Sequence, residues 1–397
     1  MAILLTGGTG FVGGEALKRY IDRSDHDLIL LVRAADEAKL AKRATTVLET
    51  HFGDRADEVA KRVTFLRSDL LKEGLGLSDE DKDRIAAEVD HVVHCAASVD
   101  FGATLEFSRE YNLDGTRRII ELCERIQAKG TLRRVDYVST AYVSGNRNDV
   151  VREDELSNKG IGWANFYEQS KFEAEALIRG WRDQGHPVSI YRPSTVVGDS
   201  QTGATPNFNV LYWPLRVYAR GWWNLMIGFE ETPVDVVPID YVADCLVNLS
   251  LKGDSTIGRN YHLCAGPDMV CKIRDLATAA SEAFGQPYPK FVSPEMFWKV
   301  YQPAIEKNAS AAQWSLIKQG TVYMPYFVRS PLFDTTNVVT DLQDTGTRAV
   351  PPVNDYFDIL FKYCIDTDWG RKAPKPTGGE AARDTGIDID AAAPTAG

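Results

Sequence analysis

The sequence predicts an α/β fold: a doubly wound, mainly parallel sheet followed by a smaller C-terminal α+β substrate lobe. Three observations predict it. Apolar runs of strand length alternate with helical patterns over the first 200 residues, as in sheets buried on both faces. A glycine cluster follows the first run at once. From about residue 200 the alternation gives way to an aromatic stretch.

Taken in order, residues 2–5 form a strand, the glycine cluster a tight turn, and residues 15–21 the apolar-periodic part of a helix. Residues 27–32 are a second continuous apolar run. Strands at 62–66, 91–94, 135–138 and 188–191 alternate with helices at 79–88, within 104–128, and at 166–184. This order implies right-handed crossovers and a sheet wound both ways from its centre. Segment 205–229 carries Phe208, Tyr212, Trp213, Tyr218, Trp222, Trp223 and Phe229, broken by Pro206, Pro214 and Gly221. It reads either as a lobe over a ligand or as ordinary core. Strand-like runs return at 234–237 and 260–263, each followed by a helical segment. The expected division is residues 1–200 for the nucleotide-binding domain (with returns near 234–265), 201–370 for the substrate lobe, and 371–397 for a disordered tail whose charges cancel.

A length of 397 residues and 44% apolar composition suffice for a core without disulfide or metal staples. The net charge of −11 argues against phosphate backbones and anionic membranes as partners. Cysteines 95, 123, 245, 264, 271 and 364 form no CxxC or zinc-ligand spacing, so reduced thiols of a cytoplasmic protein are expected. Neither a secretory signal nor a membrane-spanning run is read.

Thr6-Gly7-Gly8-Thr9-Gly10-Phe11-Val12-Gly13 places Gly7, Gly10 and Gly13 three apart, between strand and helix. Glycines there allow the turn, admit a pyrophosphate to the backbone, and let helix and strand pack closely. The helix N-terminus then offers free N–H groups to the anion. A Rossmann-type dinucleotide site is the reading. The second strand ends on Arg33 rather than on an acid. Arg33, aided by Arg43, suits the 2′-phosphate of NADP(H), which is preferred. NAD(H) remains open through the rival reading, in which Asp36 reaches the ribose.

Ser139 and Thr140 close the strand at 135–138 on two hydroxyls, and Tyr167 and Lys171 stand i and i+4 on a helix. An ammonium beside a phenol is expected to lower the Tyr167 pKa and make it a general acid for an oxygen that gains charge. Thr140 or Ser139 would support the same oxygen. Lys171 would also hold the nicotinamide ribose.

These residues carry a resemblance. The GxxGxxG turn, Ser139-Thr140 and Tyr167-x-x-x-Lys171 resemble the extended short-chain dehydrogenase/reductase superfamily. Leu31-Val32-Arg33-Ala34, Ser68-Asp69-Leu70, Val92-Val93-His94-Cys95-Ala96-Ala97-Ser98-Val99, Asn112-Leu113-Asp114-Gly115-Thr116 and Arg192-Pro193-Ser194-Thr195-Val196-Val197-Gly198 resemble its thioester reductase and fatty acyl-CoA reductase (male-sterility-like) branch. The likeness covers about residues 1–280.

The resemblance implies that Asp69, with Leu70, meets the adenine. Ala96, Ala97 and Ser98 line the ribose and nicotinamide. Asn112 supports a relay water or the active-site helix. Arg192, Pro193, Ser194 and Val196 flank the nicotinamide. Thr140, Tyr167 and Lys171 do the chemistry. Ser144 departs from the family, where Tyr is common, and no fused adenylation or carrier domain is read. A carrier-bound substrate would then come from a separate acyl carrier protein.

His91 and His94 alternate on a strand without further ligands and read as structural. Cys95 lacks an activating base and reads as packing. The leading expectation is NADPH-dependent reduction of an acyl thioester to aldehyde or alcohol, as in lipid metabolism. The alternatives are an NAD(P)-dependent ketone or alcohol dehydrogenase, a nucleotide-sugar epimerase or reductase using Arg216 and Arg220, and a dinucleotide-sensing regulator.

Overall fold

The computed structural model describes residues 1–372 except 209, 311–313, 315–317 and 319. Apart from its first two residues, the expected tail therefore lies outside the described residues. Seven strands build one sheet: β1 (Ala2–Thr6), β2 (Asp27–Val32), β3 (Val63–Arg67), β4 (Val89–His94), β5 (Arg134–Val138), β6 (Val188–Pro193) and β7 (Asn260–Leu263). Their order is β7-β6-β5-β4-β1-β2-β3, and every neighbouring pair is parallel. The winding reverses between β1 and β4, and the crevice at such a reversal is where this architecture takes ligands.

Helix α1 (Phe11–Arg23) and α2 (Glu37–Phe52) cover one face. The other is covered by α3 (Asp79–Glu88), α4 and α5 (Phe166–Arg182). Helix α4 runs through Leu105–Ser108, a π turn at Arg109–Leu113, and Asp114–Ala128. Side-chain alternation splits the buried run of β1 between two cores. Ile3 and Leu5 pack with Leu17, Tyr20 and Leu246 on one face, whereas Leu4 packs with Ile119, Ile178 and Trp181 on the other. Leu246 belongs to α6 (Ile239–Leu251), which lies against α1.

Helix starts follow local capping. Asp36 accepts from Lys39 N at 2.7 Å, Ser78 from Asp81 N at 3.0 Å, and Asn165 from Glu168 N at 3.0 Å. His91 is a structural residue, bonded to the buried Asp136 at 2.6 Å.

The run at 234–237 is not one strand. Pro233–Val234 pairs antiparallel with Cys271–Lys272, and Val236–Pro238 pairs parallel with Thr195–Val197. Asp235 divides them because its side chain turns inward. It accepts from Ser194 Oγ at 2.5 Å and Ala265 N at 2.9 Å. A third core, including Tyr212, Tyr218, Val236, Leu276, Phe357 and Phe361, sits beyond the sheet.

Candidate active site

A cavity of about 470 Å³ opens at the C-terminal ends of β1, β4, β5 and β6. One wall is the glycine turn. Gly7 has φ +74°, and a Cβ there would meet Ala96 N at 2.7 Å. A Cβ on Gly13 would stand 2.3 Å from Gly7 O. The turn is closed by Gly10 N donating to Gly7 O at 2.8 Å. Gly10 caps α1 without a side chain, so no side-chain oxygen occupies the helix N-terminus. That bare backbone surface fits a dinucleotide pyrophosphate.

Thr6 anchors the turn to β4. Its hydroxyl accepts from Ala96 N at 3.2 Å and lies 2.6 Å from His94 Nδ1. Burial holds the His94 pKa down to about 3, with Lys171 acting in the same direction. The ring is therefore neutral, and its bond to Thr6 makes His94 structural.

Thr6, Gly7, Thr9, Gly10, Phe11, Val12, Gly13, Arg33, Arg43, Asp69, Leu70, Ala96 and Ala97 all line the cavity. Arg43 donates to the Arg33 carbonyl at 2.5 Å, which brings the two guanidinium-bearing chains to one corner. Asp36 does not line the cavity; its carboxylate caps α2. Ser98 and Asn112 stand behind the wall rather than in it. Asn112, on the π turn, accepts from Ser98 N at 2.8 Å and donates to Ser98 O at 3.1 Å and Ser170 Oγ at 2.9 Å. It ties the loop after β4 to α5.

Ser139, Thr140, Tyr167 and Lys171 meet at the opposite wall with Pro193, Ser194 and Val196. Besides Ser98, which does not line the cavity, two expectations need correction. Arg192 does not line the cavity. It is fully buried, paired with Glu175 at 2.5 Å, and bonded to Glu153 O and Glu155 O. A buried guanidinium needs such a partner. Burial alone would raise Glu175, but Arg192 brings it down to about 2. Pro193 and Ser194 form the wall instead.

The second correction concerns Tyr167. Its pKa is raised, not lowered, because burial outweighs a hydrogen bond with Thr140. Lys171 Nζ donates instead to Tyr137 OH and Val138 O, each at 2.9 Å. Burial pushes the Lys171 pKa down to about 8, against the pull of Glu175. Cys95 also lines the cavity, and burial raises its thiol to about 12, which suits packing and not nucleophilic attack.

Sequence reasoning assigned no role to Phe101, Tyr142, Tyr323 and Tyr326, which complete the cavity. Phe101 lies 5.4 Å from both Tyr167 and Tyr326, ring centre to ring centre. No local pattern marks these residues, because they come from separate loops and a late segment. Of the aromatic stretch, Tyr212 lines this cavity. Trp213 and Trp223 line a smaller apolar one of about 50 Å³, which shares Tyr323 with it.

Residues 5–246 match the male sterility protein family. The chain belongs to that family. Male sterility proteins of this kind are NAD(P)-dependent reductases of the extended short-chain dehydrogenase/reductase type, and the thioester reductase branch is the one this chain resembles. The isonitrile lipopeptide synthase of Streptomyces coeruleorubidus is 31% identical over 95% of the chain, which spans 25% of that synthase. The aldehyde reductase lnaA of Aspergillus flavus is 25% identical over 91% of the chain, which spans 35% of that protein. The chain thus spans about a third or less of these relatives. The terminal R domain of the myxalamid PKS-NRPS pathway superposes with a TM-score of 0.78 at 27% identity, covering 93% of this chain and 91% of the domain. No helix among the described residues is long and apolar enough to cross a membrane.

Proposed function

We propose that this male sterility family member reduces acyl thioesters, carried on coenzyme A or a carrier protein, with NADPH as the hydride source. The observation that carries the reading is that Thr140 and Tyr167 line one cavity with the glycine turn.

The glycine turn would hold the pyrophosphate, and Asp69 the adenine. Arg33 and Arg43 favour NADP(H), since both line the adenosine corner while Asp36 is spent as a helix cap. Lys171 would hold the ribose hydroxyls near Val138. When bound, the reduced nicotinamide supplies hydride. Tyr167 would donate its proton to the substrate oxygen as charge develops there, and Thr140 would stabilise that oxygen and orient the phenol. A phenol held un-ionised by burial carries the proton that the oxygen needs, and charge developing on that oxygen would draw it across. Collapse of the tetrahedral adduct expels the thiol and leaves an aldehyde, and a second round would give the alcohol. Similarity to the myxalamid R domain supports a carrier-bound substrate.

The test is to incubate the protein with NADPH and a panel of acyl-CoA and acyl-pantetheine thioesters, following absorbance and free thiol together. One thiol per NADPH is expected for an aldehyde product, and one per two for an alcohol. NADPH loss without thiol release would leave a ketone or aldehyde reductase instead.

A further inference from the structure

Glu168 follows Tyr167 in α5, and the chemistry above does not use it. Its carboxylate is fully buried and receives four donors. Arg329 donates at 2.5 and 2.9 Å, Tyr326 OH at 2.5 Å, and Ala164 N at 3.1 Å. Arg329 is itself buried and lies over the rings of Tyr142 and Tyr326, at 4.5 and 4.3 Å. Asn165, the cap of α5, donates to Tyr326 OH at 3.1 Å. Tyr326 stacks on Phe101 with an interplanar angle of 11°, and Phe101 rests against Tyr167. Tyr142 OH meets Thr195 Oγ1 at 2.9 Å on the cavity's far edge.

A buried ion pair is poor evidence of stabilisation, since apolar replacements often do as well. Arg329 Nε has no hydrogen-bond partner among the described residues, so the pair is not even fully satisfied. Its geometric consequence is specific, however. It is the joint by which a segment beyond residue 320 is fastened beside the tyrosine of α5.

We propose that Glu168 and Arg329 are positioning residues: together they fasten Tyr326, and through it Phe101, against Tyr167, so that the late segment fixes where the phenol stands relative to a bound carbonyl. The inference rests on Tyr167 being the proton donor.

The experiment compares wild type with Arg329→Met, Arg329→Lys, Tyr326→Phe and the double variant Glu168→Gln/Arg329→Met. Thermal unfolding, NADPH binding by fluorescence, and kcat and KM on a thioester and on a simple aldehyde are read for each. A misplacement of this kind should lower kcat about tenfold or more in Arg329→Met and in the double variant, with KM and NADPH affinity changed far less. Arg329→Lys should recover part of the loss, and Tyr326→Phe should lose a few-fold. The double variant leaves no bare charge, and Tyr326→Phe removes one hydroxyl, so both keep the question open if Arg329→Met does not fold. Wild-type kcat in a folded double variant overturns the proposal, as do losses that merely follow the folded fraction. If wild type reduces the aldehyde but releases no thiol, the thioester reading falls and the aldehyde series still tests the pair. A wild type inert on both, with NADPH bound, overturns the Tyr167 reading and this inference with it.

Discussion

At Tyr167 the environment reverses the simplest expectation. A lysine four residues away on a helix suggests a lowered phenol pKa, but the helix also buries the phenol and offers Lys171 better acceptors in Tyr137 and Val138. Tyr167 is therefore held protonated, the state the proposed donor role requires. Tyr167→Phe should cost about 10²–10⁴ in kcat while leaving NADPH affinity nearly unchanged, measured by steady-state kinetics and fluorescence titration. Arg33 makes the cofactor choice testable at a single side chain. Arg33→Ser should weaken NADPH by about 1.5–3 kcal/mol, the worth of a charge-assisted contact, with NADH affinity within about twofold by the same titration. Equal weakening of both would return the choice to Asp36 or to neither. The meeting of Thr140, Tyr167 and Lys171 in one cavity could be anticipated because each lies at a strand end or at helical spacing. The inward turn of Arg192 could not, since its Glu175 partner lies on a different element.

At the level of elements, the glycine turn shows how local spacing becomes a binding surface. Gly7 needs positive φ, while Gly13 needs the absence of a side chain where α1 crosses the turn. Gly13→Ala should therefore destabilise the fold by about 1–3 kcal/mol through overpacking. It should also weaken NADPH and NADH alike, checked by thermal unfolding and titration. An unchanged Tm would mean that the turn can shift at no cost. The π turn in α4 was not legible, because residues 104–128 keep a helical pattern throughout. Its effect is to aim Asn112 at both Ser98 and Ser170, joining two elements that each shape the cavity. The strand expected at 234–237 failed for a related reason: an inward carboxylate, Asp235, found donors in Ser194 and Ala265 that only packing supplies.

Across the whole molecule, buried titratable groups set how stability responds to pH. Glu153 is buried where the late segment meets β7, and it accepts from His262 N at 2.9 Å and from Val338 N and Asn337 N. Burial raises its pKa from 4.5 to about 7, against those donors. The folded state thus holds a proton that the unfolded chain releases near 4.5, so this contribution is present at low pH and is lost as pH rises toward 7. Glu153→Gln should remove that loss, giving a flatter Tm between pH 5 and 7 than wild type by calorimetry. A parallel pair of curves would show that Glu153 ionises normally. The side of the cavity that holds the glycine turn, Ser139-Thr140, Tyr167 and Lys171 could be read along the chain. Its devices are short-range: glycines three apart, a strand ending in hydroxyls, a tyrosine and a lysine one helical turn apart. The aromatic side could not. Phe101, Tyr142, Tyr212 and the Tyr323/Tyr326 pair come from four separate stretches of the chain, and their meeting depends on burial of apolar rings and on the Glu168–Arg329 joint. Such contacts are made between elements, so they exist only once the elements have packed.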